Sequence, residues 1–162
     1  MVSKRSQPSI LFINRVYPPS RGASGRMLRD LARQCAQNGW RVTVLCAGAK
    51  TSEDKDGKIR IKRVKAAITS KSALSYGYVW LKLLWAAKSM PKLDVVVTLT
   101  DPPMTILIGR IFSKLKKCPH MHWCHDLYPD LLPYVGLKLP APLMQSLKKS
   151  TRRSMKKCDK VV

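Results

Sequence analysis

The segment CPHMHWCHDLYPD, Cys118 to Asp130, concentrates the reactive side chains of this chain. It holds all three histidines, two of the five cysteines and two of the nine acidic residues. Imidazole, thiol and carboxylate side by side suggest a metal centre or an acid–base site. Cys118, His120, His122 and Cys124 share parity, so on a strand they point to one face, with neighbours ~6.7 Å apart. One tetrahedral zinc, with ligands at ~2.0–2.3 Å, takes two such neighbours and not all four. The sequence nominates no third ligand, and the Cys-to-Cys spacing fits no finger or ribbon. The expectation is a strand running into a loop, without a metal.

His125 and Asp126 follow that strand. In open α/β sheets, ligands bind outside the carboxyl ends of the strands. A histidine beside a carboxylate at such an edge can do acid–base work or bind hydroxyls. Asp126 could equally cap a short helix beginning at Leu127. Thr100 and Asp101, after another strand, and the loop at 15–25 would share the same crevice.

The elements that must position these residues alternate. SILFI, residues 9–13, reads as a strand buried on both faces. A loop with Pro18, Pro19 and Gly22 follows, and Ser24 is placed to cap the helix GRMLRDLARQCAQN, which Gly39 ends. RVTVLC, residues 41–46, is a second strand, so the pair forms a βαβ unit with parallel strands. TSEDKDGK reads as a polar turn, and IRIKRVKAA as a half-exposed edge strand. A helix rich in Tyr, Trp and Leu is expected from Ser75 to Met90. DVVVTLT, residues 94–100, is the clearest buried strand. Pro102 and Pro103 open a further helix with a basic last turn. His120 to His125 is a fifth strand, and a helix over 141–157 leads to a strand just starting at DKVV. The pattern specifies a Rossmann-like, doubly wound, mainly parallel α/β sheet. Residues 1–162 form one domain, and an ending at a strand suggests that more chain follows.

Lys plus Arg number 31 against 9 Asp plus Glu, a net charge of +22 over 162 residues. Such a surface calls for a polyanion or an anionic membrane face. Five cysteines without framework spacing point to reduced thiols in the cytoplasm. The N-terminal MVSKRSQPSILFIN carries no leader-peptide pattern, and no run approaches the ~18 apolar residues that span a bilayer.

Several of these segments together resemble glycosyltransferase family 4. NRVYPPSRGASGRMLRDLARQCAQNGWRVTVLC is similar to the family's opening, with Trp40 and Arg41 standing where His and Glu are usual. HDLYPDLLPYVG resembles the D-L-W-P-E…G segment of bacterial members that build exopolysaccharide, capsule or O-antigen chains. TLTDPP resembles the S-x-P-P after the fourth strand, and KKCDKVV the A-D-x-I that closes the first domain. The resemblance implies the N-terminal, acceptor-binding half of a GT-B enzyme. Such an enzyme transfers a sugar from a nucleotide donor with retention and without an obligatory metal or other cofactor. The C-terminal donor-binding half is not in this chain, so activity would need that half in cis or as a partner subunit. Carried over by position, Asp126 and His125 are the candidate catalytic pair. Gly22, Ala23, Ser24, Gly25 and Arg26 form the donor-phosphate loop, and Tyr17, Arg21, Thr100, Asp101 and Tyr128 the acceptor crevice.

The resemblance also gives the charge a purpose, since many members work on lipid-linked acceptors at the cytoplasmic membrane face. In APLMQSLKKSTRRSMKK, Lys148, Lys149, Arg152, Arg153, Lys156 and Lys157 crowd one side and Leu143, Leu147, Thr151, Ser154 and Met155 the other. Such a helix can lie on an anionic membrane, or turn its thin apolar stripe to the core. Trp80 and Trp85 are candidate interfacial anchors, or parts of a buried crossover helix. The competing readings are a membrane-binding subunit of a split glycosyltransferase and a nucleic-acid-binding module. No nucleic-acid-binding signature supports the latter.

Overall fold

The computed structural model describes residues 7–66 and 72–162. The start of the N-terminal segment read for a leader peptide, and Ala67 at the end of the IRIKRVKAA run, lie outside the described residues. The chain alternates strand and helix as expected. β1 (Ser9–Ile13), α1 (Ala23–Gln37) and β2 (Arg41–Gly48) are followed by β3 (Ser52–Asp56) and β4 (Ile59–Lys65). Then come α2 (Ala73–Lys88), β5 (Val95–Thr98), α3 (Thr105–Lys116), β6 (His120–His122), α4 (Ala141–Met155) and β7 (Lys160–Val161). The seven strands form one sheet in the order β3-β4-β2-β1-β5-β6-β7. Every described pairing is parallel except β3 with β4. This is the Rossmann-like α/β sheet read from the sequence.

β1 sits near the middle because both its faces are apolar. Leu11 and Ile13 pack towards α2 and α3, with Leu45, Val79, Leu83, Ile108 and Phe112. Ile10 and Phe12 pack on the opposite side with Leu28 and Ala32 of α1. Residues of alternate parity thus feed two cores, one for each helical layer.

Four local readings are corrected. TSEDKDGK is not a loose turn but β3 and its hairpin to β4, turning at Gly57 with φ +61°. Acidic β3 faces basic β4, with Glu53 opposite Lys62, and Arg63 pairs with Asp54 at 3.1 Å. Cross-strand charge substitutes for the apolar alternation that marks most strands. β4 is therefore interior and β3 forms the edge. β6 is shorter than expected and ends at His122, although the Trp123 N–H still donates to the Thr98 carbonyl at 2.8 Å. The chain after Asp126 forms turns rather than a capped helix.

His120 and His122 do share a face, and both use a ring nitrogen on the Thr98 hydroxyl, at 2.9 Å each. The other nitrogen of His120 meets the Cys158 thiol at 3.3 Å. Among the described residues, no group of three or more His, Cys, Asp or Glu is placed to hold a metal ion. Burial pushes both imidazoles down, from 6.5 to about 4, and their proximity pushes His120 the same way. The neutral form is favoured in the fold, so this contribution is complete above the unfolded value of 6.5. It is lost as pH falls from there through about 4. The two together account for a few kcal/mol, at about 1.4 kcal/mol per unit. Urea midpoints should fall steadily between pH 6.5 and 4, and His122→Asn should flatten that slope. A midpoint independent of pH across that range would show that these rings titrate normally.

Candidate functional site

The carboxyl ends of β1 and β5 and the segment after β6 enclose a crevice of about 450 Å³. Each strand hands over its residues just past its last pairing. Asn14 and Arg15 follow β1, Thr100 and Asp101 follow β5, and His125 and Asp126 follow β6. The Arg15 guanidinium binds the Asp101 carboxylate at 2.7 Å, and its backbone N–H donates to the Asp101 carbonyl at 2.6 Å. This pair ties the two strand ends together. Burial raises the Asp101 carboxyl above its ordinary value, Arg15 opposes that, and Asp126 adds to it.

Asp126 is exposed in the crevice and accepts from the Thr100 hydroxyl at 3.3 Å. His125 stands beside it, its ring 4.7 Å from that of Trp123. Tyr128 completes this wall, its phenol raised first by burial and then by Asp126 and Asp101. An open carboxylate and imidazole facing a polar cleft can accept or deliver a proton to a bound hydroxyl.

Arg21, Gly22, Ala23 and Ser24 form the opposite wall. α1 begins at Ala23 with Gly22 before it, so Ser24 is not the cap. Its hydroxyl instead takes a 3.3 Å contact from the Asn14 amide, whose Nδ2 also donates to the Val16 carbonyl at 2.7 Å. Gly25 lies beneath the wall. A Cβ there would come within 2.9 Å of the Val16 side chain and 3.0 Å of its carbonyl oxygen. This glycine lets α1 sit directly on the β1 loop. Arg26 is exposed and does not line the crevice.

Tyr17 is corrected outright. It is fully buried, and its hydroxyl binds Asp56 at 3.2 Å, away from the crevice. Arg29 and Arg33 converge on the same carboxylate at 2.8 and 2.9 Å. The Arg29 hydrogen bond leads in holding Asp56 down at about 2. Tyr17 thus anchors α1 and the β3 edge to the β1 loop. The reading of the sequence placed Arg15 in the crevice only as part of the 15–25 loop, and it missed Tyr76 and Met27, which also line it. Arg15 was signalled by its place two residues past the end of β1. Tyr76 comes from α2, and nothing local points it there.

The two candidate membrane elements divide differently from the expectation. On α4, Thr151 and Ser154 are buried against α3, through Met104 and Arg110. The Thr151 and Ser154 part of its stripe therefore faces the core, Leu143 stays exposed, and Lys149, Arg152, Arg153, Lys156 and Lys157 face out. Lys148 pairs with Asp130 at 2.7 Å. On α2, Trp80 turns inward and its indole N–H donates to the Met104 carbonyl at 3.1 Å. Trp85 points out, with Leu74, Tyr78 and Leu81 on the same side. Lys82 and Lys88 lie over the rings of Tyr78 and Trp85. Among the described residues, no helix is long and apolar enough to cross a membrane.

A mainly parallel α/β sheet with a polar cleft at its carboxyl edge is a Rossmann-like build, consistent with one half of a GT-B enzyme. Residues 24–162 match Glycosyltransferase Family 4, and the chain belongs to that family. No curated protein matches the chain.

Proposed function

We propose that this chain is the acceptor-side half of a retaining glycosyltransferase. In this reading a sugar passes from a nucleotide donor to a lipid-linked or polysaccharide acceptor at the cytoplasmic membrane face. The observation that carries the reading is the crevice in a family 4 domain, where His125 and Asp126 stand open beside Thr100 and Asp101. Asp126 faces the reacting hydroxyl and His125 assists. The Gly22–Ser24 wall, at the start of α1, receives the donor's phosphates, where backbone N–H groups and the helix dipole favour an anion, and Arg21 stays on the acceptor side. A donor-binding half, in cis or as a partner subunit, completes the reaction, which needs no metal or other cofactor. The outward cations of α4 and the exposed stripe of α2 hold the protein on anionic lipid, at ~1 kcal/mol per cation near the surface.

The test joins or mixes the chain with a donor-binding half. Labelled nucleotide sugars are supplied with phosphatidylglycerol vesicles carrying membrane lipid extract. Label should pass into the organic phase, and the rate should fall as salt shortens the Debye length from ~10 Å at 0.1 M to ~3 Å at 1 M. The chain alone should transfer nothing. Robust transfer by the chain alone would contradict the division of labour. Vesicle binding with no transfer under any donor would favour a membrane-anchoring subunit, and preference for oligonucleotides over vesicles a nucleic-acid module.

A further inference from the structure

Behind the crevice lies a cavity of about 10 Å³, room for a single water molecule. Thr100, Asp126 and Tyr128 line both spaces, so the Asp126 carboxylate stands between the open cleft and this small interior one. The remaining ionisable group on the cavity is His122, 3% exposed. Thr105 and Thr151 also reach it, but their hydroxyls are spent on the Pro102 carbonyl and the Met104 sulfur. His122 uses Nδ1 on the Thr98 hydroxyl. Among the described residues its Nε2 has no protein partner, so that atom is the one the ring offers to the cavity. An imidazole nitrogen in the interior needs a partner, and a buried water needs about two to four polar ones. Each supplies what the other lacks.

We infer that one buried water joins His122 Nε2 to the Asp126 carboxylate, and that His122 is thereby a positioning residue for the transfer. The inference rests on the glycosyltransferase reading, which gives Asp126 its reacting hydroxyl. The direction of the hydrogen bonds follows from counting protons. Thr98 has one hydroxyl proton but meets two rings, at His120 Nε2 and His122 Nδ1, 2.9 Å each. It donates to one and accepts from the other. The Cys158 thiol, 3.3 Å from His120 Nδ1, keeps its proton, because burial pushes it up to about 11. Every proton meets an acceptor when that S–H donates to a bare Nδ1. The opposite order aims an N–H at a protonated sulfur, a weak acceptor. His120 then carries its proton on Nε2 and gives it to Thr98, and Thr98 donates to His122 Nδ1. The proton of the neutral His122 ring is left on Nε2, for the cavity. The water accepts from that N–H and donates to Asp126, which as a carboxylate only accepts. Thr100 supplies a second donor at 3.3 Å. Two donors on the inner side orient the carboxylate and leave its other lone pairs to the crevice, where a bound hydroxyl can give up its proton.

NMR of the full 162-residue chain reads the water without any catalysis. Long-range proton–nitrogen correlation at neutral pH should show His122 protonated on Nε2 and bare on Nδ1. The Nε2 proton should show an Overhauser contact to a long-lived water. The positioning role is read in the enzyme assembled with its donor half. His122→Asn keeps a polar atom near the place of Nδ1 and loses the reach of Nε2, and His122→Gln does the reverse. His122→Asn should lower kcat by ~10- to 10²-fold, the scale of a small misplacement at a reacting group. KM for the acceptor should stay within about twofold, since ground-state binding is untouched. His122→Gln should return kcat to within about threefold of the parent, because it restores a donor at the cavity. Added to Asp126→Asn, His122→Asn should change kcat by less than about twofold, because its effect passes through that carboxylate. A merely structural histidine would make the two losses multiply. Multiplied losses, or a folded His122→Asn variant with parental kcat, overturn the inference. So does a bare Nε2 or the lack of a water contact in the parent chain, which decides the matter even where His122→Asn fails to fold. Sugar transfer with a bare Nε2 would keep the glycosyltransferase reading and discard the water link. A water-bound Nε2–H in an assembled enzyme that transfers nothing would discard that reading, and the positioning role with it.

Discussion

Asp126→Asn should lower kcat of the enzyme assembled with its donor half by ~10²-fold or more, the scale of losing an acid–base group. The fold should barely notice. Asp126 is exposed, the chain after it forms turns rather than a helix to be capped, and among the described residues its carboxylate accepts a single 3.3 Å bond, from Thr100. Surface changes of this kind usually stay within ~0.5 kcal/mol. Its neighbour offers the contrast. Asp101 is held by Arg15 between two strand ends, and removing that carboxylate leaves a half-buried guanidinium unpaired. Single-turnover kinetics and melting curves on the Asp126→Asn protein separate the two effects. Normal kcat would remove Asp126 from the reaction. A melting temperature that falls in step with activity would return it to a structural role.

Gly109→Ala should be the most damaging single methyl group in the described chain. A Cβ at this position of α3 would lie 2.1 Å from His120 Nε2 and 2.6 Å from Thr98 Cγ2. No rotamer of an alanine relieves that. The helix must move off the sheet, or His120 must leave Thr98 and strand buried polar groups. Overpacking costs ~1–3 kcal/mol and a lost buried hydrogen bond a further ~1–3, against ~1 gained in helix propensity. The net loss, several kcal/mol, is a large share of a typical ~5–15 kcal/mol stability. It should lower Tm by roughly 10 °C at ~2–4 °C per kcal/mol for a domain of this size. His120→Ala in the same background removes the obstructing ring, so the double variant should lose less than the sum of the singles. Gly77→Ala on α2, where a Cβ meets nothing within 4 Å, should have the opposite sign and stabilise slightly. An unchanged Tm for Gly109→Ala would mean that α3 and β6 are not packed as tightly as this contact requires.

The βαβ order and the buried central strands were legible in the sequence. So was the clustering of Thr100, Asp101, His125 and Asp126 at one edge. These depend on local period and on position relative to strand ends, which a run such as DVVVTLT carries within itself. In a parallel sheet every carboxyl end lies on the same side, so residues just after different strands meet without further information. β3 was hidden because its pairing rests on Glu53 opposite Lys62 and on the Arg63–Asp54 ion pair rather than on apolar alternation. Direction was hidden too. Tyr17 was assigned to the crevice because it follows β1, yet its hydroxyl is claimed by Asp56, 39 residues away, on another side. Trp80 and Trp85 read alike in sequence, but the first reaches Met104, just before α3, and the second faces out. The stripe of α4 could serve a membrane or a core equally well, and α3 lay within its reach. Gly25 and Gly109 gave no sign of which atoms they make room for. Composition and spacing determined the sheet and its polar carboxyl edge, because those are set by the chain's own period. Which face of each helix meets a neighbour, and so which residues line the crevice, was decided only by packing between segments far apart in sequence.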